Sequence, residues 1–264
     1  MTILEKIIGH KKQELANAQA VHPVKELMKS KLYGRKTLSL TESIQNEEKT
    51  GIIAEFKRKS PSRGLINGQA ILEEVTTGYF RSGASGLSIL TDREFFGGTN
   101  EDLLRARELN PIPILRKDFV IDEYQVVEAK AIGADAVLLI AAVLDIGQTR
   151  NLARFARSLD LQVLLEVHQA AELDHLNEFI NMVGVNNRDL HTFAVDVERS
   201  VQMAGEIPPD FVKISESGIT SPLTIKKLRG CGYQGFLIGE SFMRTPEPAV
   251  AFSDFVKSLF FDND

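Results

Sequence analysis

The chain has 264 residues, of which 43% are hydrophobic and 25% are charged, so it has the length and composition of a globular protein with a sizeable core. Its 31 basic and 36 acidic residues give a formal net charge of −5, and without a long basic run the sequence does not predict a nucleic-acid partner. The single cysteine, Cys231, excludes an internal disulfide and a cysteine-based metal cluster, and a reducing, cytoplasmic location is expected.

The first 49 residues do not share the pattern of the rest of the chain. They contain helical patterns at 3–18, 23–29 and 40–47. The beginning of the chain is amphipathic and charged rather than continuously apolar, and no segment approaches the roughly 20 apolar residues of a membrane span. We therefore expect no membrane association, and we expect residues 1–49 to form a helical extension packed on a larger domain of residues 50–264.

From residue 52 onward, short apolar segments alternate with helical patterns. The helical patterns, which place apolar residues at spacings of three and four, lie at 101–109, 122–132, 145–159 and 221–229. The eight predicted strands are 52–57, 86–90, 112–117, 135–140, 161–166, 182–186, 211–215 and 235–239. Such alternation is typical of an α/β protein with a parallel sheet.

Eight strand–helix units in roughly 210 residues fit a closed (β/α)8 barrel. A doubly wound open sheet is the alternative, but no strand is followed by the G-x-G-x-x-G turn of dinucleotide-binding proteins. Polar residues also occur at the C-terminal ends of nearly all eight strands, which in a barrel converge on one face. The sequence therefore predicts a (β/α)8 TIM barrel with an N-terminal helical extension, in a single domain overall.

Several strand ends carry side chains with acid–base chemistry. Each of them alone could be a loop start or a helix cap, but in a barrel they would surround one cavity. We predict that this cavity is an active site. The polar and small residues at the strand ends are Glu55, Lys57, Lys117, Asp118, Glu166, Asn186, Arg188, Ser215, Glu216, Ser217 and Gly239.

The two lysines are the most informative of these residues. Side chains alternate along a strand, so Glu55 and Lys57 should point the same way, whereas Arg116 and Lys117 should point in opposite directions. A Lys117 that faces the cavity would be a proton donor at neutral pH, and burial or a nearby ammonium would lower its pKa into a useful range. A Schiff-base nucleophile and a surface pair with Asp118 are the alternatives for this lysine.

The last two strand ends predict an anion site. The segments 215–219 and 237–241 place Ser and Gly directly before helices, where backbone N–H groups are exposed. The loops after strands seven and eight of such barrels frequently bind phosphate, although helix capping alone would also explain these residues.

The histidines form no spaced set of metal ligands, so we expect no metal. They are His10, His22, His168, His175 and His191. His168 follows Glu166 by two residues and could be catalytic, but its place at the start of a helix favours a surface or supporting role.

Six segments at the strand ends occur in order along the barrel: IAEFKRKSPS at 53–62, ILRKDF at 114–119, LEVH at 165–168, GVNNRDL at 184–190, ISESGI at 214–219 and LIGES at 237–241. Together they closely resemble the indole-3-glycerol phosphate synthase family, (β/α)8 enzymes of tryptophan biosynthesis with an N-terminal helical extension. The first two segments are highly specific, whereas those that contain glycine recur in other phosphate-binding barrels.

This resemblance implies the ring closure of 1-(2-carboxyphenylamino)-1-deoxyribulose 5-phosphate to indole-3-glycerol phosphate, with loss of carbon dioxide and water and without a cofactor. It implies that Lys117 is the general acid on the ribulose carbonyl and that Lys57 holds the substrate carboxylate and can donate a proton during dehydration. Glu166 and Glu55 would handle the remaining protons, with Glu166 as the main catalytic partner.

The resemblance also implies which residues bind the substrate. Asn186 and Arg188 would orient it, and Glu216 would support the site. The residues implied around the phosphate are Ser60, Ser217, Gly218, Gly239 and Glu240. The anthranilate ring needs an apolar slot, for which the candidates are Phe95, Phe96, Phe119 and Leu138.

Two other functions remain open from the sequence. One is another phosphate-binding barrel enzyme of the same pathway, against which the combination of Glu55, Lys57 and Lys117 argues. The other is a non-catalytic sugar-phosphate binding protein, which the presence of Lys117 and Glu166 disfavours. In either case the expected partner is a small-molecule sugar phosphate, and no obligatory protein partner is evident.

Overall fold

The computed structural model describes residues 2–190 and 192–261. His191, one of the histidines considered above, lies outside the described residues. Within the described residues, no helix is both long enough and apolar enough to cross a membrane.

Eight parallel strands form a closed barrel in which each strand pairs with its neighbours in sequence. β1 closes the barrel by pairing with both β2 and β8, with Ala54 opposite Leu87 on one side and Ile238 on the other. The strands are β1 Ile52–Phe56, β2 Gly86–Leu90, β3 Ile114–Lys117, β4 Ala136–Ile140, β5 Gln162–Val167, β6 Met182–Asn186, β7 Val212–Glu216 and β8 Gly235–Ile238. The predicted (β/α)8 barrel is thus confirmed.

The structure places the strand boundaries within about two residues of the predicted ones. The largest difference is at β3, which begins at Ile114 rather than at Ile112. Pro113 has no N–H to donate to a ladder, and only its carbonyl is used, as the acceptor of the Leu87 N–H at 2.9 Å.

Helices cover the outside of the barrel and form the N-terminal extension. They are α1 Ile3–Val21, α2 Val24–Leu27, α3 Leu40–Gln45, α4 Leu72–Arg81, α5 Arg93–Phe96, α6 Asn100–Leu109, α7 Glu123–Ala131, α8 Ile146–Ser158, α9 Glu198–Met203, α10 Pro222–Gly230, α11 Glu240–Met243 and α12 Pro248–Phe261. A 3-10 helix, Ala170–His175, follows β5. Side-chain caps define where several helices begin. Thr99 forms a reciprocal capping box at the start of α6, and Asp145 forms one at the start of α8.

Strand alternation divides the core into two layers. Ile52, Ala54 and Phe56 of β1 pack outward against the helices, whereas Ile53 belongs to the cluster inside the barrel. Glu55 shares the inward face of Ile53 at the C-terminal end of the strand. The same period sends alternate side chains of the other strands inward, so the top of the barrel interior becomes a layer of charged and polar groups.

The N-terminal extension contacts both ends of the barrel. At the N-terminal end of the strands, Leu40 and Ile44 of α3 join the interior cluster, and the Leu40 N–H donates to Gln162 at 2.6 Å. At the opposite end, α1 lies over the mouth of the barrel, where Ile7 lines the cavity. Lys11 of α1 is 1% exposed and anchors this helix to the rim.

Candidate active site

Two adjoining cavities at the C-terminal end of the barrel are lined by every predicted catalytic, substrate-orienting and phosphate-binding residue, whereas the strand-end residue Ser215 and the ring-slot candidate Phe95 line neither. The first has a volume of about 130 Å³, and its lining includes Glu55, Lys57, Ser60, Lys117, Phe119, Glu166, Asn186, Arg188, Glu216, Ser217 and Glu240. The second has a volume of about 290 Å³ and adds Gly218 and Gly239. The structure therefore brings residues from six different strands or strand ends together around one space.

Two lysine–glutamate pairs form the charged centre of the site. Lys57 Nζ lies 2.6 Å from Glu55 Oε1, and Lys117 Nζ lies 3.2 Å from Glu166 Oε2. Lys117 Nζ is also 3.8 Å from Glu216 Oε2. The cavity thus holds two ammonium groups beside three carboxyl groups, an arrangement able to donate and accept protons in a confined space.

The pKa of Lys117 lies above its ordinary value, which makes the expectation of a lowered pKa wrong. Burial alone would lower this pKa, but the charges of Glu166, Glu216 and Glu55 together raise it. The surface pair of Lys117 with Asp118 is also wrong, because Asp118 is buried and pairs with Lys11 and Arg116. A Lys117 that is protonated at neutral pH when the substrate binds suits a general acid and disfavours a Schiff-base nucleophile, which must first lose its proton.

The three carboxyl groups do not share one charge state. Burial opposes ionisation of Glu55 and Glu166, but the neighbouring ammonium groups of Lys57 and Lys117 hold both pKa values below the ordinary one. Burial and the nearby charges of Glu166 and Glu55 raise the pKa of Glu216 to about 8. At neutral pH the site therefore contains two carboxylates and one protonated carboxylic acid.

Glycine at position 184 makes room for Glu216. A Cβ at this position of β6 would overlap Glu216 Oε1, which has no hydrogen-bond partner among the described residues. Gly184 was not among the predicted site residues, although an isolated glycine inside a strand pattern indicates the close approach of another group.

Two further side chains lie next to Glu166, and one of them is hydrogen-bonded to it. Asn186 Nδ2 donates to Glu166 Oε1 at 3.1 Å, and His168 Nε2 lies 3.5 Å from the same oxygen. The side chain of His168 is only 11% exposed, so a surface role for this residue is wrong. Its position follows from the alternation of β5, which continues inward from Glu166 to His168.

The second cavity has the features of an anion site. Ser217 and Gly218 adopt positive φ angles of 67° and 77°, and a Cβ at Gly218 would overlap the Val195 side chain. Gly239 precedes α11 as its N-cap residue. Lys57 also lines this cavity, so a glycine-containing turn, the start of a helix and a cation border the same space.

Glu240 joins two arginines at the edge of this cavity. Arg188 Nη2 lies 2.9 Å from Glu240 Oε2, and Arg63 Nε lies 3.1 Å from Glu240 Oε1. The sequence missed Arg63, although its position in the same loop as Ser60 was a signal for it.

An apolar wall completes the first cavity. Phe96, Phe119 and Leu138 line it, and the Phe96 and Phe119 rings lie 6.0 Å apart between centroids. Phe95 does not line either cavity and instead packs edge-on against His10. Within the described residues, no group of three or more His, Cys, Asp or Glu side chains could hold a metal ion.

A comparison with protein-family models decides the family. The model described as indole-3-glycerol phosphate synthase matches residues 4–255, nearly the whole chain. The chain belongs to the indole-3-glycerol phosphate synthase family. The resemblance seen in the six sequence segments is confirmed.

Curated relatives agree with this family, and solved structures agree with the fold. The indole-3-glycerol phosphate synthase of Bacteroides thetaiotaomicron is 47% identical over 257 residues, which cover 97% of this chain and 98% of the relative. That of a Polaromonas species is 42% identical and covers 94% and 96%. Among solved structures, 3-hexulose-6-phosphate synthase from Salmonella typhimurium superposes with a TM-score of 0.60 over 79% of this chain and 97% of that chain. At 15% identity, this likeness concerns the fold alone.

In this member of the indole-3-glycerol phosphate synthase family, the sequence did not predict that α1 would cover the first cavity. Ile3, Leu4 and Ile7 of α1 line the first cavity together with Leu190 and Phe193. The apolar spacing of α1 predicted a helix that packs on the barrel, but it contained no signal for which end of the barrel the helix would cover.

Proposed function

We propose that this chain catalyses the ring closure of 1-(2-carboxyphenylamino)-1-deoxyribulose 5-phosphate to indole-3-glycerol phosphate, with loss of carbon dioxide and water, in tryptophan biosynthesis. The observation that carries the proposal is the placement of Lys117 and Lys57 in one cavity, each beside a carboxylate, next to an anion site. This arrangement supplies an acid, a carboxylate anchor and bases beside an anion site.

Lys117 acts as the general acid in this proposal. Its ammonium protonates the ribulose carbonyl oxygen while the aromatic carbon that bears the carboxylate attacks the carbonyl carbon. The carboxylates of Glu166 and Glu55 keep Lys117 charged until the substrate oxygen receives the proton. Carbon dioxide then leaves, and the electrons of the broken carbon–carbon bond restore the aromatic ring.

Lys57 holds the substrate carboxylate and is available to protonate the departing hydroxyl group. Glu55 orients Lys57 through the 2.6 Å contact. Glu166, an ionised carboxylate, removes a proton from the methylene carbon beside the ring nitrogen, so that the hydroxyl leaves as water. Asn186 keeps Glu166 in position. Glu216, as a protonated acid, donates a hydrogen bond to the substrate.

The remaining residues position the two ends of the substrate. The anthranilate ring lies against Phe119 and Phe96, and Arg188 orients the sugar chain. The phosphate is bound by backbone groups and hydroxyls of Ser60, Ser217, Gly218, Gly239 and Glu240. We keep as further predictions that no cofactor or obligatory protein partner takes part and that the enzyme works in the cytoplasm.

Replacement of the general acid tests this proposal. Lys117→Ala should lower kcat at least about 100-fold, as expected for loss of general acid catalysis, while substrate binding remains detectable. Lys257→Ala, at an exposed lysine of α12, is the matched control and should retain full turnover. Formation of the indole chromophore measures the rate. Turnover by the Lys117 variant at nearly the wild-type rate would refute the assignment.

A further inference from the structure

His168 lies between two carboxylates at the end of β5. Its Nε2 is 3.5 Å from Glu166 Oε1, and its Nδ1 is 3.8 Å from Glu172 Oε2 in the following 3-10 helix. Both ring nitrogens are buried, and neither makes a hydrogen bond to any described residue. An imidazole with no structural hydrogen bond and a carboxylate on each side is well placed to exchange protons.

Glu166 connects this imidazole to the general acid. One of its oxygens, Oε2, faces Lys117 Nζ at 3.2 Å, and the other, Oε1, faces His168 Nε2. Lys117, Glu166 and His168 therefore form a continuous row of three titratable groups. The row runs from the middle of the cavity to its wall.

A different cavity lies on the outer side of this wall. It has a volume of about 840 Å³, and His168 lines it, whereas Lys117 and Glu166 do not. Leu4 and Leu190 line both this outer cavity and the inner one, so they separate the two spaces. The charged or titratable side chains that line the outer cavity with His168 are Glu5, Lys12, Glu172, Asp189 and Arg199. Of these, Glu5 and Lys12 are exposed, so the outer cavity reaches solvent.

The chemistry proposed above requires Lys117 to regain a proton before dehydration, because Glu166 must still be ionised when it accepts the methylene proton. The carbonyl oxygen and the departing hydroxyl each take up a proton, whereas the methylene carbon returns one. Each turnover therefore consumes one proton from solvent, which balances the substrate carboxylate that leaves as neutral carbon dioxide. A substrate that fills the inner cavity beneath α1 blocks the direct route from the mouth of the barrel to Lys117.

We propose that His168 carries this proton from the outer cavity to Glu166. After Lys117 has protonated the carbonyl oxygen, Glu172, which lines the outer cavity, passes a solvent proton to Nδ1. The imidazolium gives its Nε2 proton to Oε1 of the ionised Glu166, whose carboxyl group turns about its Cγ–Cδ bond and gives that same proton to the neutral amine of Lys117. After dehydration, Glu166 returns the methylene proton to Nε2 while Nδ1 releases its proton to Glu172, which restores the starting tautomer, and Lys57 regains its proton from solvent when the product leaves. No oxidant or other co-reactant is needed, because only protons move. This relay rests on the proposed function, since it serves the proton uptake of that reaction.

Three variants test the relay in the full-length enzyme. His168→Ala should lower kcat about 10-fold at pH 8, where solvent protons are scarce, and should change KM less than about threefold. Added imidazole should restore most of the lost rate, because it can enter the solvent-connected cavity and replace the missing ring. His168→Gln keeps much of the side-chain volume and a hydrogen-bond donor but cannot relay a proton, so it should remain slow. His175→Gln, at the end of the 3-10 helix that follows β5 and away from Glu166, should behave as wild type.

The outcomes separate the relay from the proposed function. Absence of wild-type turnover in the same assay would count against the proposed function itself. Wild-type turnover with an unchanged kcat in the His168→Gln enzyme would overturn the relay, as would a His168→Ala enzyme that imidazole does not rescue. A raised KM with an unchanged kcat would assign His168 a purely structural role and would likewise overturn the relay. If the alanine variant fails to fold, the glutamine variant decides.

Discussion

Replacement of Lys11 by methionine removes a buried ammonium group and leaves a side chain of similar shape. Lys11 Nζ lies 3.0 Å from Asp92 Oδ2, 2.9 Å from Asp118 Oδ1 and 2.9 Å from Glu14 Oε2. The side chains of Lys11, Asp92 and Asp118 are 2%, 0% and 1% exposed, so water cannot replace the lost partner. The variant therefore buries carboxylates that have lost a counterion.

The loss in the free energy of unfolding depends on the partners that Asp118 and Asp92 keep in the variant. Asp118 keeps Arg116 Nη2 at 3.3 Å and the Thr91 hydroxyl at 2.5 Å, whereas Asp92 keeps the Phe95 N–H at 2.8 Å. Removal of one member of a buried ion pair typically costs 3–5 kcal/mol, and the surviving partners of Asp118 place the expected loss near the lower limit, about 3 kcal/mol. This loss lowers the folding equilibrium constant more than about 100-fold.

The loss should depend on pH in a defined direction. Burial opposes ionisation of Asp118, but Lys11 and Arg116 hold its pKa below the ordinary value in the folded protein. Its ionised form thus contributes stability above the unfolded pKa, near 3.9, and this contribution disappears as the pH falls through the folded-state pKa. The difference in the free energy of unfolding between wild type and Lys11→Met should therefore be largest at neutral pH and smaller below about pH 4.

Urea unfolding of both proteins at pH 7 and at about pH 3.5 measures this difference. Lys6→Met, at an exposed position of the same helix, is the matched control and should change the free energy of unfolding by less than about 0.5 kcal/mol. A loss below about 1 kcal/mol for Lys11→Met at pH 7 would refute the reasoning, because it would mean that the buried carboxylates do not depend on this ammonium.

Two further predictions concern the charge state and the anion site. The pKa of Glu216 is raised to about 8, so the stability linked to its protonation is present at low pH and is lost as the pH rises from about 4.5 to 8. The thermal midpoint of Glu216→Gln should therefore increase relative to wild type between pH 5 and pH 9, and a constant difference would contradict the raised pKa. Millimolar phosphate should raise the thermal midpoint above that in chloride of equal ionic strength, because it binds beside Gly218 and Gly239. An unchanged midpoint would argue against the anion site.

The sequence predicted the fold and most of the residues that line the site, because both depend on short-range periodicity. The period of two along each strand fixes which residues point inward, and the parallel barrel brings the strand ends to one face. Glu55 and Lys57 could therefore be assigned to one side of the site before their 2.6 Å contact was known. All eight predicted strands correspond to observed ones. An error of two residues in one boundary, such as the one at Ile112, therefore does not change the topology.

The charge states could not be predicted in the same way. The pKa of Lys117 depends on Glu166, Glu216 and Glu55, which come from three other strands and whose distances no local pattern specifies. Burial does lower the pKa of Lys117, as the local sequence suggested, but the combined effect of the three carboxyl groups is larger and raises it. The position of α1 could not be predicted for a similar reason. It depends on ion pairs between Lys11 and two residues far along the chain, Asp92 and Asp118.

The pairing of β1 with β8 has a consequence for how the chain must be made. β1 is the first strand of the barrel to be synthesised, and its partner across the closing seam, at Ile52 and Phe236, is the last. Until that partner arrives, both outer strands of the growing sheet present unpaired backbone N–H and C=O groups, which favour association with other chains. A polypeptide interrupted before residue 235 should therefore aggregate rather than persist as a smaller folded protein.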